Sequence, residues 1–294
     1  MEQFIKDLQE WNIEVSDEQL GMFEKYTGLL LDWNEKINLT AITDINDIYK
    51  KHYLDSASLI NCKIPLSNGV LLSDLLIKDI NICRNENESD HLTDADNSCT
   101  SNIIDMSNKT DISNSEINSS ILNDAHPISV LDLGSGAGFP GIPLKILFPS
   151  LNITLADSLN KRIGFLNLVI DELGLKGIKA VHTRAEEIAH DKEYREQYDL
   201  VVSRAVANLS VLSEYCIPFV KEGGYFISYK SGNSSDEISS AKNAIGMLGG
   251  KYIGCFDFNL PNSDYSRSNI CIKKIKNTED RFPRKSGTPS KKPL

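Results

Sequence analysis

The amino-acid sequence predicts an α/β protein built on a doubly wound parallel sheet. Three observations support this: apolar strands alternate with helical patterns from residue 128 onward, a glycine-rich loop follows the first of these strands, and an acidic residue ends the second. Strands joined by crossover helices pair in parallel, and ligands bind beyond their carboxyl ends. The 294 residues, of which 40% are hydrophobic, are enough for a substantial core.

Residues 1–61 are predicted to form a helical segment that packs on the main domain. Ser16 begins a capping box that Gln19 completes. A single apolar stripe then recurs every three or four positions, at Leu20, Phe23, Tyr26, Leu30, Trp33 and Ile37. A second helical stretch covers about 44–59. Because no heptad pattern continues the stripe, its partner is predicted to be the main domain.

Residues 64–126 are predicted to be an acidic insertion that is disordered at about 81–123. The insertion has 11 acids against 3 bases, and 17 of the 43 residues from 81 to 123 are Asn or Ser. A segment of low hydrophobicity and excess acid cannot offset the entropy of ordering its backbone. The alternative is that the segment binds a partner.

Residues 128–276 are predicted to form the main domain. Its strands are predicted at 128–133, 152–156, 178–182, 200–203 and 225–229, its helices at 164–173, 209–220 and 237–248, and a final antiparallel pair at 255–260 and 269–275. The remaining residues, 277–294, form a basic tail: from 273 to 294 there are 8 bases against 2 acids. Because charges act only over about 8 Å in physiological salt, the net charge of −10 does not exclude a nucleic-acid partner.

The composition argues against several other classes. No apolar run approaches the roughly 18 residues of a membrane helix, and the first residues lack the pattern of a secretory signal. The six cysteines contain no C-x-x-C pair, which argues against a zinc site. The sequence therefore predicts a cytoplasmic protein without a membrane partner or a bound metal.

The strongest chemical signal is the loop Gly134-Ser135-Gly136-Ala137-Gly138, between the first strand and a helix. Gly134 and Gly136 let the backbone turn and approach a ligand without a clashing Cβ atom. A dinucleotide fingerprint would need glycine at position 139, where this chain has Phe139. The pattern is instead typical of the first motif of S-adenosylmethionine-dependent methyltransferases, and a plain tight turn is the alternative.

Three further strand ends bring polar groups to the same edge of the sheet. Asp157 can accept hydrogen bonds from ribose hydroxyls, or it can cap the following helix. Ala185 and Glu186 follow the third strand, where a backbone amide and a carboxylate can meet an adenine edge. Arg204 follows the fourth strand, and its planar fork suits the methionine carboxylate or a substrate phosphate.

Several motifs occur together in one order: Trp33 to Thr40, His52 to Ser56, the glycine loop with its Phe-Pro-Gly-Ile-Pro extension, Asp157-Ser158 with Lys161-Arg162, and Arg204. Together they resemble the bacterial small-subunit ribosomal RNA methyltransferase G family, also called glucose-inhibited division protein B. The resemblance covers residues 1 to about 60 and 128 to 294, and the basic ending resembles one branch of that family. The long insertion departs from the family pattern.

The resemblance implies a seven-stranded Rossmann-like class I methyltransferase fold preceded by helices. It implies that S-adenosylmethionine methylates the ring nitrogen at position seven of a guanine in 16S ribosomal RNA, free or within the 30S subunit. Carried over to this chain, the cofactor contacts fall on Gly134, Phe139, Ala185, Glu186 and Arg204. With the loop and strand-end arguments, Gly136 and Asp157 complete the predicted cofactor set.

The target nitrogen has a free lone pair at neutral pH, so no general base is assigned and no catalytic residue is named. The RNA contacts are predicted at Lys36, Asn38, His52, Lys161, Arg162, Arg284, Lys285, Lys291 and Lys292. Asn38 can instead cap a helix, and His52 can instead be a packing residue. Two other functions stay open: methylation of a small molecule or protein, and a non-catalytic module that binds adenosylmethionine.

Overall fold

A computed structural model describes residues 1–66, 69–79, 127–204, 207–232 and 234–294. The segment predicted to be disordered, about 81–123, lies outside the described residues. The described chain consists of an N-terminal group of helices, a seven-stranded sheet with its own helices, and a C-terminal tail packed on the sheet domain.

The N-terminal helices are α1 (Glu2–Gln9), α2 (Asp17–Ile37), α3 (Ile45–Ile48) and α4 (Asp55–Ala57), with a π-helical turn at Tyr49–Leu54, a 3-10 turn at Ser58–Asn61 and a further helix, α5, over 72–79. The predicted capping box of α2 is present: the Gln19 backbone N–H donates to Ser16 Oγ, and the Ser16 backbone N–H donates to Gln19 Oε1. The start of α2 therefore follows from local sequence.

The sheet contains β1 (Ser129–Leu133), β2 (Asn152–Asp157), β3 (Ile178–His182), β4 (Tyr198–Ser203), β5 (Val220–Ser231), β6 (Gly250–Asn259) and β7 (Ser266–Lys274). Their order is β3-β2-β1-β4-β5-β7-β6. The pairs among β1 to β5 are parallel, and β7 is antiparallel to both β5 and β6. The predicted fold class and the predicted antiparallel final pair are confirmed.

The other helices are α6 (Gly141–Leu147), α7 (Asn160–Glu172), α8 (Ala185–Ile188), α9 (Leu209–Cys216), α10 (Ser235–Met247) and α11 (Thr288–Lys291). The predicted helix over 209–220 is too long, because Pro218 follows with no backbone N–H to donate and a 3-10 turn replaces the last turns. The predicted strand at 225–229 is too short, since β5 starts at Val220 and continues through Gly223 and Gly224.

Two apolar cores lie on the two faces of the sheet. Val130 belongs to one core and Leu131 to the other, as expected for side chains that alternate along a strand. The stripe of α2 packs into the first core, where Tyr26 lies near Phe139 and Phe165. Polar contacts add to this packing: the Gln19 amide donates to the Ile146 carbonyl at 2.7 Å. The N-terminal helices therefore pack directly on the glycine loop and α6.

Candidate functional site

A cavity of about 580 Å³ opens at the carboxyl ends of β1, β2 and β4. Its walls come from the glycine loop, the segments after β2, β3 and β4, and the N-terminal residues Leu39, Thr40 and His52. The residues predicted to bind the cofactor all line it, namely Gly134, Gly136, Phe139, Asp157, Ala185, Glu186 and Arg204. The cavity therefore lies where ligands bind in open parallel sheets.

The glycine loop leaves open space above it for a ligand. Gly134 has φ +78° and Gly136 has φ +59°, a backbone conformation that strains residues with a side chain. A Cβ atom on Gly134 would meet nothing within 4 Å, and one on Gly136 only a carbonyl oxygen at 4.0 Å. A side chain at either position would thus occupy free space next to the loop.

The loop uses its own amide groups internally. The Gly134 and Ser135 N–H groups both donate to the Ala156 carbonyl, at 2.8 and 3.2 Å. The Gly136 N–H donates to Asp157 Oδ2 at 2.9 Å. A phosphate-binding loop instead points free amides at its ligand. This loop therefore suits a ligand that needs close approach more than it suits a pyrophosphate.

Buried contacts from behind fix the shape of the loop. Asp132 Oδ2 accepts from the Gly141 N–H at 2.9 Å, which ties the end of β1 to the start of α6. Burial raises the pKa of Asp132 to about 7, and within the described chain its Oδ1 atom has no hydrogen-bond partner. The Tyr26 hydroxyl donates to the Ala137 carbonyl. Asp132 and Tyr26 therefore support the loop without lining the cavity.

Asp157 is buried at the end of β2 and already accepts three hydrogen bonds. Its Oδ2 accepts from Gly136 N at 2.9 Å and from Arg162 Nη1 at 3.2 Å, and its Oδ1 accepts from Leu159 N at 2.9 Å. The cap residue of α7 is Leu159, so Asp157 is not the helix cap itself. A carboxylate offers about four acceptor positions. One position remains for a ligand hydroxyl.

Arg204 joins the end of β4 to the N-terminal helices. Its Nη1 donates to the Lys51 carbonyl and to Asp55 Oδ2, both at 3.1 Å, and its Nη2 donates to His52 Nδ1 at 3.1 Å. The guanidinium carbon lies 4.9 Å from the centre of the Phe139 ring. Arg267 on β7 donates to the other Asp55 oxygen at 3.0 Å. Two arginines thus hold one buried carboxylate beside the cavity.

His52 is neutral and has a defined tautomer. Arginine can only donate, so the Nδ1 atom that faces Arg204 is an acceptor, and Nε2 carries the proton that points to Thr40 Oγ1 at 2.8 Å. Burial, followed by the charge of Arg204, lowers the pKa of His52 to about 3. The ring stacks on Phe139 with a centroid distance of 4.3 Å. His52 therefore packs in the cavity wall, as the alternative interpretation of this residue expected.

The pKa of His52 makes a prediction about stability. Above about pH 6.5, His52 is neutral in both the folded and the unfolded protein. Below that pH the imidazole is protonated in the unfolded chain, whereas in the folded protein it stays neutral down to about pH 3, so the free energy of unfolding falls. From pH 7 to pH 5 we expect the wild type to lose about 2 kcal/mol more unfolding free energy than His52→Gln. Urea unfolding at both pH values measures this, with His182→Gln, an exposed histidine, as the control. Equal losses in wild type and His52→Gln would contradict the buried neutral state.

The residues predicted to contact RNA fall on several sides of the cavity. Arg162 lines it, and Lys161 beside it is exposed. Lys36 and Asn38 are exposed at the end of α2, directly before the lining residues Leu39 and Thr40. Asn38 is also the left-handed C-cap of α2, with φ 49°, so the predicted alternative for this residue holds as well.

The net positive charge of the tail overstates the number of its basic side chains that are available to contact a partner. The Arg284 guanidinium pairs with the fully buried Glu214 at 2.6 Å, and the buried Lys274 ammonium lies 3.0 Å from Glu196. Both bases are therefore engaged within the protein, and the RNA contact predicted for Arg284 stays a prediction. Three tail lysines, at Lys285, Lys291 and Lys292, are exposed.

Sequence reasoning missed several wall residues. Arg184, Thr183 and Tyr215 line the cavity, as do Ser135 and Ser158. Thr40 could have been found, because it belongs to the same motif as Asn38. Tyr215 carries no local signal, since only the packing of α9 brings it to the cavity. Over residues 1–66, 69–79, 127–204, 207–232 and 234–294 no group of three His, Cys, Asp or Glu could hold a metal ion.

The seven-stranded sheet, the glycine loop after β1 and the acid at the end of β2 define the class of S-adenosylmethionine-dependent methyltransferases. A model of the family described as rRNA small subunit methyltransferase G matches residues 19–68 and 77–257. The chain belongs to this family. In the part of the chain that the structure describes, no helix has the length and apolar character to cross a membrane.

Relatives named Ribosomal RNA small subunit methyltransferase G align with nearly the whole chain. The protein of Lactococcus lactis subsp. cremoris (strain MG1363) is 40% identical over 293 residues, which cover 100% of this chain and 98% of the relative. That of Acetivibrio thermocellus is 43% identical over 284 residues, covering 97% and 92%. The predicted family and enzyme class are confirmed.

Solved structures are similar at lower identity. M. jannaschii TYW2 in complex with AdoMet is 16% identical, with a TM-score of 0.41, over 55% of this chain and 76% of that chain. Aeropyrum pernix fibrillarin with natively bound S-adenosyl-L-methionine is 13% identical, with a TM-score of 0.40, over 53% of this chain and 74% of that chain.

Proposed function

We propose that this methyltransferase transfers the methyl group of S-adenosylmethionine to N7 of a guanine in 16S ribosomal RNA, in line and without a general base. Ribosomal RNA as the substrate is supported by the family and by the names of its relatives. The choice of N7 rests on one observation above all. His52, the imidazole of the cavity wall, has both ring nitrogens in hydrogen bonds and a pKa of about 3, so it is unsuited to act as the general base that a protonated nucleophile would need.

The residues present fit the cofactor. The free space above Gly134 and Gly136 admits a ligand against the backbone, and Asp157 retains an acceptor position for a hydroxyl. Glu186 and the Ala185 backbone lie on the wall that follows β3. When bound, S-adenosylmethionine supplies an electrophilic methyl group on a sulfonium sulfur. The loop and these strand ends hold and orient it.

Transfer to N7 needs placement and no proton removal, because the N7 lone pair is free at neutral pH. The chain therefore needs to hold the base about 3–3.5 Å from the methyl carbon, along the axis of the breaking bond. Arg204 packs on the Phe139 ring beside His52, and its guanidinium can contact a flat purine in the cavity.

The target must be reached in folded RNA. The A-form major groove is too narrow for side chains, so the guanine is expected in a loop or a locally opened element. Arg162 lines the cavity, and Lys36 and Lys161 are exposed, so these bases can contact phosphates. A cytoplasmic location, where the ribosome assembles, is part of this proposal.

The test combines methyl transfer with mapping of the modified atom. The protein is incubated with methyl-tritiated S-adenosylmethionine and either 30S subunits or deproteinised 16S RNA. Reduction with borohydride followed by aniline then cleaves RNA chains at 7-methylguanosine. We expect label in the RNA fraction and cleavage at one guanine, and the better of the two substrates identifies the natural one.

Each alternative gives a different result in this experiment. Label confined to protein or small molecules would replace the RNA substrate with another class. Labelled RNA that resists cleavage would overturn the N7 assignment. Cofactor binding in a calorimeter without transfer to any fraction would favour the non-catalytic module.

A further inference from the structure

The C-terminal tail is anchored in the sheet domain by a buried ion pair. Glu214 on α9 has a fully buried carboxylate, which accepts from the Arg284 backbone N–H at 2.8 Å and from its Nη2 at 2.6 Å. Two residues earlier Phe282 is buried in the core that α9 and α10 share. Arg195 donates to the Phe282 carbonyl at 2.9 Å. The chain beyond Arg284 therefore starts from a fixed point.

Beyond this anchor, the tail contacts three residues that line the cavity. The Gly287 backbone N–H donates to Glu186 Oε1 at 3.1 Å. Arg184 Nη1 donates to Ser286 Oγ at 3.3 Å. The Tyr215 and Ser290 hydroxyl oxygens lie 3.0 Å apart within one hydrogen bond. Arg184, Glu186 and Tyr215 all line the cavity, whereas the tail residues stand behind them.

The same stretch of tail also carries three lysines, whose side chains are distinct from the groups that contact the cavity wall. Lys285, Lys291 and Lys292 are exposed, while Pro289 between them is buried. The hydroxyls and the Gly287 amide thus point to the cavity wall, and the lysines point to solvent. Substitutions can therefore remove the lysine charges without removing the groups that contact the cavity wall, and the reverse.

We propose that tail residues 286–290 position the wall of the cofactor cavity formed by Arg184, Glu186 and Tyr215, and so determine cofactor affinity independently of the tail's positive charge. The inference rests on the proposed cofactor site. Without the Gly287 N–H and the two serine hydroxyls, each of the three wall side chains loses one hydrogen-bond partner. Ser286, Gly287 and Ser290 are positioning residues, since they act through residues that face the ligand.

The experiment compares three variants with the wild type. The first ends the chain at Arg284, which keeps Phe282 and the Glu214 pair. The second, Ser286→Ala with Ser290→Ala, removes both hydroxyls and keeps every charge. The third replaces Lys285, Lys291 and Lys292 by Ala and keeps the groups that contact the cavity wall. Calorimetry measures the Kd for S-adenosylhomocysteine without RNA, filter binding measures the Kd for 16S RNA, and thermal melting checks the fold.

We expect the truncation to raise the Kd for S-adenosylhomocysteine about tenfold and the double serine variant about threefold, with KM for S-adenosylmethionine rising and kcat nearly unchanged. Added to this comparison, Ser286→Ala with Ser290→Thr keeps a hydroxyl at position 290 and should recover part of the affinity that the double serine variant loses. The triple lysine variant should bind S-adenosylhomocysteine like the wild type and bind RNA more weakly.

Two results would overturn the inference. One is a folded truncation that binds S-adenosylhomocysteine as well as the wild type, and the other is a triple lysine variant that loses as much cofactor affinity as the truncation. Failure of the wild type itself to bind S-adenosylhomocysteine would overturn the proposed function instead, so the two failures are distinguishable.

Discussion

Gly134→Val is expected to abolish cofactor binding while leaving the protein folded. A valine here would place two methyl groups in the space directly above the loop, where a Cβ atom meets no protein atom within 4 Å. A ligand that approaches the backbone must therefore collide with it. We expect the Kd for S-adenosylmethionine to rise by about 100-fold or more, about 2.7 kcal/mol, in isothermal titration calorimetry.

The control for this prediction is Gly174→Val. Gly174 also has a left-handed backbone, with φ +62°, and a Cβ atom there would also meet nothing within 4 Å. It lies between α7 and β3, at the edge of the sheet opposite the cavity. Both variants should lose about 1–2 kcal/mol of unfolding free energy from backbone strain. Normal affinity in folded Gly134→Val would mean that the ligand does not approach this loop.

Local signals in the sequence predict those parts of the fold that local physics determines. The capping box of α2 depends on residues three apart, and the glycine loop depends on backbone conformations that only glycine adopts freely. The buried strands follow from runs of apolar residues. These features formed where the sequence predicted them. The start of β5 did not, because Lys-Glu-Gly-Gly is typical of a turn and only pairing across the sheet makes it a strand.

Long-range partners could not be predicted, since nothing in the spacing of two charged residues encodes their distance in the fold. Asp55 forms ion pairs with Arg204, which follows β4, and with Arg267, which lies on β7. Glu214 lies within an apolar helix and receives Arg284, which the sequence suggested only for RNA. The residues that the sequence predicted for the cofactor, on the loop and the strand ends, thus line one cavity in the structure. The wall that the N-terminal helices contribute, and the tail contacts behind the wall, became visible only in the structure.

Arg204→Ala is expected to reduce the rate of methyl transfer by about 100-fold or more, because Arg204 connects the cavity to the N-terminal helices. Three donor bonds to Lys51, His52 and Asp55 hold the end of β4 against the Phe139 ring. Among the described residues these bonds use three of the five guanidinium N–H groups, so two can still face a ligand. Arg204→Lys should recover little activity, because one ammonium cannot reproduce the planar fork.

Arg267→Ala is the matched control, because Arg267 donates to the same Asp55 carboxylate at 3.0 Å and does not line the cavity. The two arginine side chains are also similarly exposed, at 18% and 17%. Either substitution leaves the Asp55 carboxylate with one arginine partner and should lower the free energy of unfolding by about 1–3 kcal/mol in urea titrations. Methyl transfer to 30S subunits should fall strongly only in Arg204→Ala. Equal losses of activity in the two variants would mean that Arg204 acts through the stability of the Asp55 pair, and the cavity role assigned to its guanidinium would have to be abandoned.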